Sequence, residues 1–342
     1  MKILIVRLSS IGDIILTTAF TRLLKKKFPF AQIDFLLYKP FKLIYEYNPN
    51  INHLFTIEKN IPDYTMNQIK DGIIQNQGRY DLIFDLQNNA MSSKFTKDLG
   101  VELLKVDKRR AYKLKLVWLK SGKGEDYKMI HDVYTETLLG FDVYDDNLGL
   151  EFRLSGEKEM KNYPPLSKIY QKKELYNISV APGAHFKTKQ WGHVNFAHLI
   201  RKLNHISQSV TLFGGVNDIS LGEKIKELNP DTINLCGKTN LEETCRQIDN
   251  TDLLITNDTG IMHIAAARKI PTLAIFGSSV RELGFEPYAV PNVILETELW
   301  CRPCSHIGRR SCPLIHFNCM KKITPQFAFD STVSFLNQVY NQ

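Results

Sequence analysis

Short β-branched or apolar runs alternate with amphipathic runs along almost the whole chain, and this rhythm is the feature that most restricts its fold. In the first half the strand candidates are Ile3–Arg7, Ile33–Leu37, Leu54–Ile57, Asp81–Leu86 and Glu102–Val106. In the second half they are Asn177–Ala181, Val210–Phe213, Thr232–Leu235, Asp252–Thr256 and Thr272–Phe276. Strands separated by helical spans of this length must pair in parallel, with the helices as crossovers. Between the first two strands, Ile15, Ala19, Leu23 and Leu24 fall on one face of a helix expected over Asp13–Lys27, with Pro29 beyond its basic end.

The rhythm breaks at Ser155–Glu174, where Lys, Pro and polar residues replace it. That segment reads as a linker. A chain of 342 residues is long enough for two domains, each with its own core. Ligands of open α/β sheets bind beyond the carboxyl ends of the strands, so two such domains are expected to share a cleft. The N-terminal apolar run is too short for a signal peptide, and no stretch approaches the ~18 apolar residues of a membrane span. The expected location is therefore cytoplasmic, with any membrane contact peripheral.

Three loops carry the chemistry. Arg7-Leu8-Ser9-Ser10-Ile11-Gly12-Asp13 joins the first strand to its helix. Asp13 stands where it would cap that helix, and a carboxylate there could equally act as a general base. The full G-x-G-x-x-G is absent, which argues against an NAD-dependent dehydrogenase. The second loop, Pro182–Trp191, holds Thr188, Lys187 and Lys189, which suit a diphosphate or simply make an exposed basic loop with Trp191 on an interdomain surface. Gly214-Gly215, at the end of another strand, would let backbone approach a ligand.

The third and sharpest element is the strand ending in Asn257-Asp258-Thr259-Gly260, followed by a helix rich in small residues. The amides of Thr259 and Gly260 would begin that helix, as an anion site requires. His263, one turn further on, could face the same ligand. Phe276-Gly277-Ser278-Ser279 repeats the strand-to-loop arrangement.

Taken together, "ILIVRLSSIGDIILTTAF", "APGAHFKTKQW" and "LCGKTNLEETCRQIDNTDLLITNDTGIMHIAAARKIPTLAIFGSS" resemble the heptosyltransferase family of glycosyltransferases, which build the lipopolysaccharide inner core. Residues 60–170 match only in layout. The resemblance implies an α/β chain of the glycosyltransferase B fold, two Rossmann-like domains facing across a cleft. An acceptor domain is expected over residues 1–165 and a nucleotide-sugar domain over 175–325. A C-terminal helix within 326–342 is expected to return to the first domain. The implied donor is ADP-L-glycero-D-manno-heptose and the implied acceptor is Kdo-lipid A or a heptose already on it.

The resemblance also assigns roles. Asp13 matches the family's general base, Thr188 and Lys189 its phosphate contacts, and Asp258, Thr259, Gly260 and His263 its donor loop. Arg7 stands where a Lys or Arg is usual. Ser9, Ser10 and Gly12 of the first loop, with Arg109, Arg110 and Lys113, are the expected acceptor contacts. Metal-independent, inverting transfer is implied, with no cofactor beyond the nucleotide-sugar donor. The alternatives are a relative using another donor sugar and a silent nucleotide-sugar-binding protein.

The formal net charge of +8 favours anionic partners. Lys105, Lys108, Arg109, Arg110, Lys113 and Lys115, with Leu116 and Trp118, could meet an anionic glycolipid or be a solvated helix face. Nucleic acid fits less well, because no recognisable module accompanies the charge. Cys301, Cys304, Cys312 and Cys319, with His306 and His316 between them, have spacing compatible with structural zinc, with reduced thiols or with a local disulfide.

Overall fold

The computed structural model describes residues 1–121, 124, 127–157 and 170–340. The chain divides into two compact units: Met1–Arg109 with Ile130–Tyr163, and Arg110–Met129 with Pro164–Gln342. Most of the linker expected over Ser155–Glu174, residues 158–169, lies outside the described residues. The segment Arg110–Met129, expected in the first domain, groups with the second unit. Leu116 explains this: it is fully buried against Val280 and Leu283 of that unit.

The first unit is built on five strands: β1 (Lys2–Val6), β2 (Gln32–Tyr38), β3 (His53–Ile57), β4 (Tyr80–Asp85) and β5 (Gly100–Lys105). All pair in parallel, in the order β3-β2-β1-β4-β5. The chain runs outward from β1 in one direction, then restarts at β4 and runs in the other. The switch point therefore lies between β1 and β4, and the loop Arg7–Ser10 leaves the sheet there.

The second unit has six parallel strands: β6 (Tyr176–Ala181), β7 (Ser207–Leu212), β8 (Ile233–Asn234), β9 (Leu253–Asn257), β10 (Thr272–Ile275) and β11 (Asn292–Leu295). Their order, β11-β10-β9-β6-β7-β8, puts the switch point between β6 and β9. Both central strands are almost wholly buried, as parallel strands covered on two faces must be.

Three local departures from expectation have physical causes. The helix foreseen over Asp13–Lys27 is two helices, Ile11–Leu16 and Thr18–Lys27. Thr17 divides them, with its amide and hydroxyl both bonded to the Ile14 carbonyl (3.0 and 2.6 Å). Strand β11 was not foreseen: it has only four residues and follows Pro291. Finally, the C-terminal helix, Pro325–Tyr340, expected to return to the first domain, is anchored within the second unit. Its Phe335, Leu336, Val339 and Tyr340 lie in the core of the second unit, and Tyr340 donates to the Asp252 carbonyl (2.7 Å).

Candidate active site

In the first unit, β1 delivers Arg7 to the switch point and the following turn delivers Asp13. Asp13 is the third residue of the helix Ile11–Leu16, and its Oδ2 accepts from the Ser10 hydroxyl (2.7 Å) and the Ser10 amide (3.2 Å). This is half of a capping box, so the capping role is real. Capping leaves Oδ1 unexplained. That oxygen sits 2.8 Å from Arg7 Nη2 and accepts from the Tyr134 hydroxyl at 3.3 Å. Arg7 is anchored in turn by the Leu86 carbonyl (2.6 Å), and its guanidinium lies 5.4 Å from the centre of the Tyr134 ring.

Burial disfavours the Arg7 cation, yet Asp13, Tyr134 and Asp85 together hold its pKa above the ordinary value. The pair is thus a locked arginine–carboxylate couple, with the Asp13 side chain still 20% exposed. Capping alone would not call for a buried arginine beneath the carboxylate.

The loop itself is held from β4. The Gln87 side-chain oxygen accepts from the amides of Leu8 and Ser9 (3.0 and 3.2 Å). Asp85 is fully buried and accepts from the amides of Gln87 and Asn88 and from the Ser92 hydroxyl. Ser10 is exposed, Ser9 half-buried and Gly12 buried. Neither Gln87 nor Tyr134 was singled out in the sequence. Gln87 had a faint signal, lying just past a strand end; Tyr134, more than a hundred residues from Asp13, had none.

In the second unit, the loops after β6 and β9 meet at the switch point. Asn257, fully buried at the end of β9, donates to the Pro182 carbonyl (2.7 Å) and accepts the Trp191 amide (3.2 Å). It therefore ties the two loops together. Trp191 is not on an interdomain surface: it lies in the unit's core, stacked edge-on against Phe196, and its indole donates to the Ile323 carbonyl.

Lys189 Nζ lies 2.6 Å from Asp258 Oδ2, with both side chains largely buried, whereas Lys187 is exposed. Asp258 immediately precedes Thr259, the cap of the helix Gly260–Ala267. The first amides of a helix have no partner within it, and they carry partial positive charge. Lys189 thus sits beside that helix start, an arrangement whose charge suits an anion. His263 is buried one turn in, with its ring 6.3 Å from that of Phe285.

Thr188 is differently placed. It is buried, and its hydroxyl donates to the Arg309 carbonyl (3.1 Å) while accepting from the Arg309 amide (2.8 Å) and the Ser278 hydroxyl (3.0 Å). It braces the loops here. The glycines after β7 are also partly structural. A Cβ on Gly214 would come within 2.7 Å of the Asp218 side chain, and one on Gly183 within 2.2 Å, while Gly215 opens onto free space. Asp218 fills the room these glycines leave and accepts from the Gly215 amide (2.9 Å). Arg302, unnoticed in the sequence, is buried and donates to the carbonyls of Phe276, Gly277 and Ser279, shaping the loop after β10.

The expected acceptor cations lie on either side of the boundary between the units. Arg109 follows β5 in the first unit, while Arg110 and Lys113 lie on the helix Arg110–Leu114 of the second. Leu116 is buried there and Trp118 is 71% exposed. All six cysteines are free thiols. Among the described residues no three His, Cys, Asp or Glu side chains are grouped as if to hold a metal ion. Cys301 Sγ and His316 Nε2 are 4.0 Å apart. Among the described residues no helix is long and apolar enough to cross a membrane.

Comparison with known proteins bears on the family and the fold. A family model described as glycosyltransferase family 9 (heptosyltransferase) matches residues 75–314. The lipooligosaccharide heptosyltransferase 2 of Campylobacter jejuni is 28% identical, with 98% of each chain covered. The structure of a family 9 glycosyl transferase from Veillonella parvula superposes with a TM-score of 0.76 at 20% identity, covering 98% of this chain and 97% of that one. An Escherichia coli heptosyltransferase solved with ADP superposes with a TM-score of 0.70 at 14% identity, covering 98% and 100%.

Proposed function

Because this chain belongs to glycosyltransferase family 9, the heptosyltransferases, we propose that it moves a heptose from ADP-L-glycero-D-manno-heptose to the lipopolysaccharide inner core by a single displacement. The observation that carries this reading is the pairing of chemistries at the two switch points: a buttressed carboxylate in one unit, and a lysine beside a helix start in the other. The ADP bound in the similar Escherichia coli structure supports a nucleotide diphosphate as the donor group.

The step balances as follows. Asp13 takes the proton of an acceptor hydroxyl, and that oxygen bonds to the anomeric carbon. The bond from that carbon to the diphosphate oxygen breaks, and ADP departs from the opposite face. Lys189 and the amides at the start of Gly260–Ala267 meet the charge growing on the leaving diphosphate. No step in this reading needs a metal or a further cofactor. Arg109, Arg110 and Lys113 are suited to the carboxylates and phosphates of an anionic glycolipid, which would place the enzyme peripherally at the cytoplasmic face of the inner membrane.

A donor panel tests the reading. Nucleotide release should be fast with ADP-heptose and Kdo-lipid A or its heptosylated form, and slower by at least about tenfold with other ADP-sugars or with UDP-sugars. Faster release from another sugar nucleotide would assign a different donor. Tight ADP binding without turnover on any of them would mark a silent binding protein.

A further inference from the structure

We propose that Tyr134 is a positioning residue that reserves Asp13 Oδ2 as the oxygen receiving the acceptor's proton, an inference resting on the assignment of Asp13 as the base. The two carboxylate oxygens have unlike surroundings. Oδ1 is held from beneath by Arg7 at 2.8 Å and Tyr134 at 3.3 Å, both buried side chains. Oδ2 accepts from the Ser10 amide (3.2 Å) and the Ser10 hydroxyl (2.7 Å), and the hydroxyl of this exposed residue can rotate away and open that side of the oxygen to an incoming acceptor hydroxyl.

Tyr134 acts twice. Its hydroxyl donates to Oδ1, and its ring lies under the guanidinium that grips the same oxygen. Burial, opposed by Arg7 and reinforced by Asp13, raises its pKa far above the ordinary value, so the phenol remains a donor at every working pH. It lies on the helix Ile130–Thr135, which the sequence separates from the first loop by more than a hundred residues. A tyrosine needed only to fill space there would not require its hydroxyl.

The test is the pH profile of kcat/KM for heptose transfer from ADP-heptose, with thermal unfolding and ADP binding measured in parallel. Tyr134→Phe keeps the ring. It should lower kcat about tenfold, the equivalent of one hydrogen bond to a charged group at the weak end of its range. It should also move the acid limb of the profile to higher pH, because the ionised carboxylate loses a donor, and leave ADP affinity unchanged. A Tyr134→Phe enzyme with the parental kcat and acid limb would overturn the proposal.

If that variant does not fold, 3-fluorotyrosine at position 134 keeps both ring and hydroxyl while making a stronger donor. Its acid limb should shift to lower pH, and an unmoved limb would again overturn the proposal. Asp13→Asn separates this inference from the one beneath it. Parental turnover in that protein would remove the base itself, whereas an inactive Asp13→Asn beside an unaltered Tyr134→Phe would remove only the role of Tyr134.

Discussion

Replacing Asp13 with Asn should lower kcat by about 10³-fold while ADP binds as tightly as to the parent, because general-base catalysis typically contributes about 10²–10⁴-fold. Asn is the informative substitution. It preserves volume, its oxygen can still face Arg7, and its NH2 can donate to the Ser10 hydroxyl, while the Ser10 amide loses its acceptor. What it lacks is a basic oxygen. The residues proposed to meet the nucleotide belong to the other unit, so donor affinity should be insensitive to the change. Steady-state ADP release with saturating donor and acceptor, beside calorimetric ADP binding, measures both quantities. A parental kcat would remove Asp13 from the chemistry and leave it as a helix cap.

Lys189→Met should reduce kcat/KM for the donor by about 10²–10³-fold, the loss typical when one group stabilising a developing oxyanion is removed. Methionine retains the length and most of the apolar stem but not the charge. The effect has two sources. The leaving diphosphate loses its cation, and Asp258, 7% exposed, loses the partner 2.6 Å away and turns an unneutralised carboxylate toward the phosphates. Asp258→Asn combined with Lys189→Met should therefore recover part of the lost donor affinity. Competition by ADP in the single and double variants reads this out. Equal ADP affinity in the parent and Lys189→Met would place the diphosphate elsewhere.

The layered plan of the chain was legible because it depends on a repeating local pattern. The central strands, such as Lys2–Val6 and Leu253–Asn257, are short buried runs rich in apolar and β-branched residues, too short for helices and spaced by helical lengths. The exception, β11, is too short and too close to proline to stand out. The candidate site was legible wherever its residues are neighbours in sequence. Asp258, Thr259 and Gly260 are consecutive, and Arg7 and Asp13 flank one turn.

It was illegible wherever function depends on distant segments meeting. Tyr134 reaches Asp13, Gln87 holds Leu8 and Ser9, and Arg302 shapes the loop after β10, each across a span whose closure depends on tertiary packing. Residue type alone also leaves two roles open: Thr188 and Gly214 are kinds of residue that cradle phosphate, and the same smallness and hydrogen-bonding capacity brace loops against Arg309 and Asp218. Trp191 read as a surface aromatic and is core, because its indole finds a buried carbonyl at Ile323.

The anomeric configuration of the product tests the account most directly, since one base and one displacement permit a single stereochemical outcome. NMR of the sugar newly joined to the acceptor should show the configuration opposite to that of the donor heptose. Retention would require either a second displacement through a covalent intermediate or departure and attack on the same face, and either would contradict the role given to Asp13.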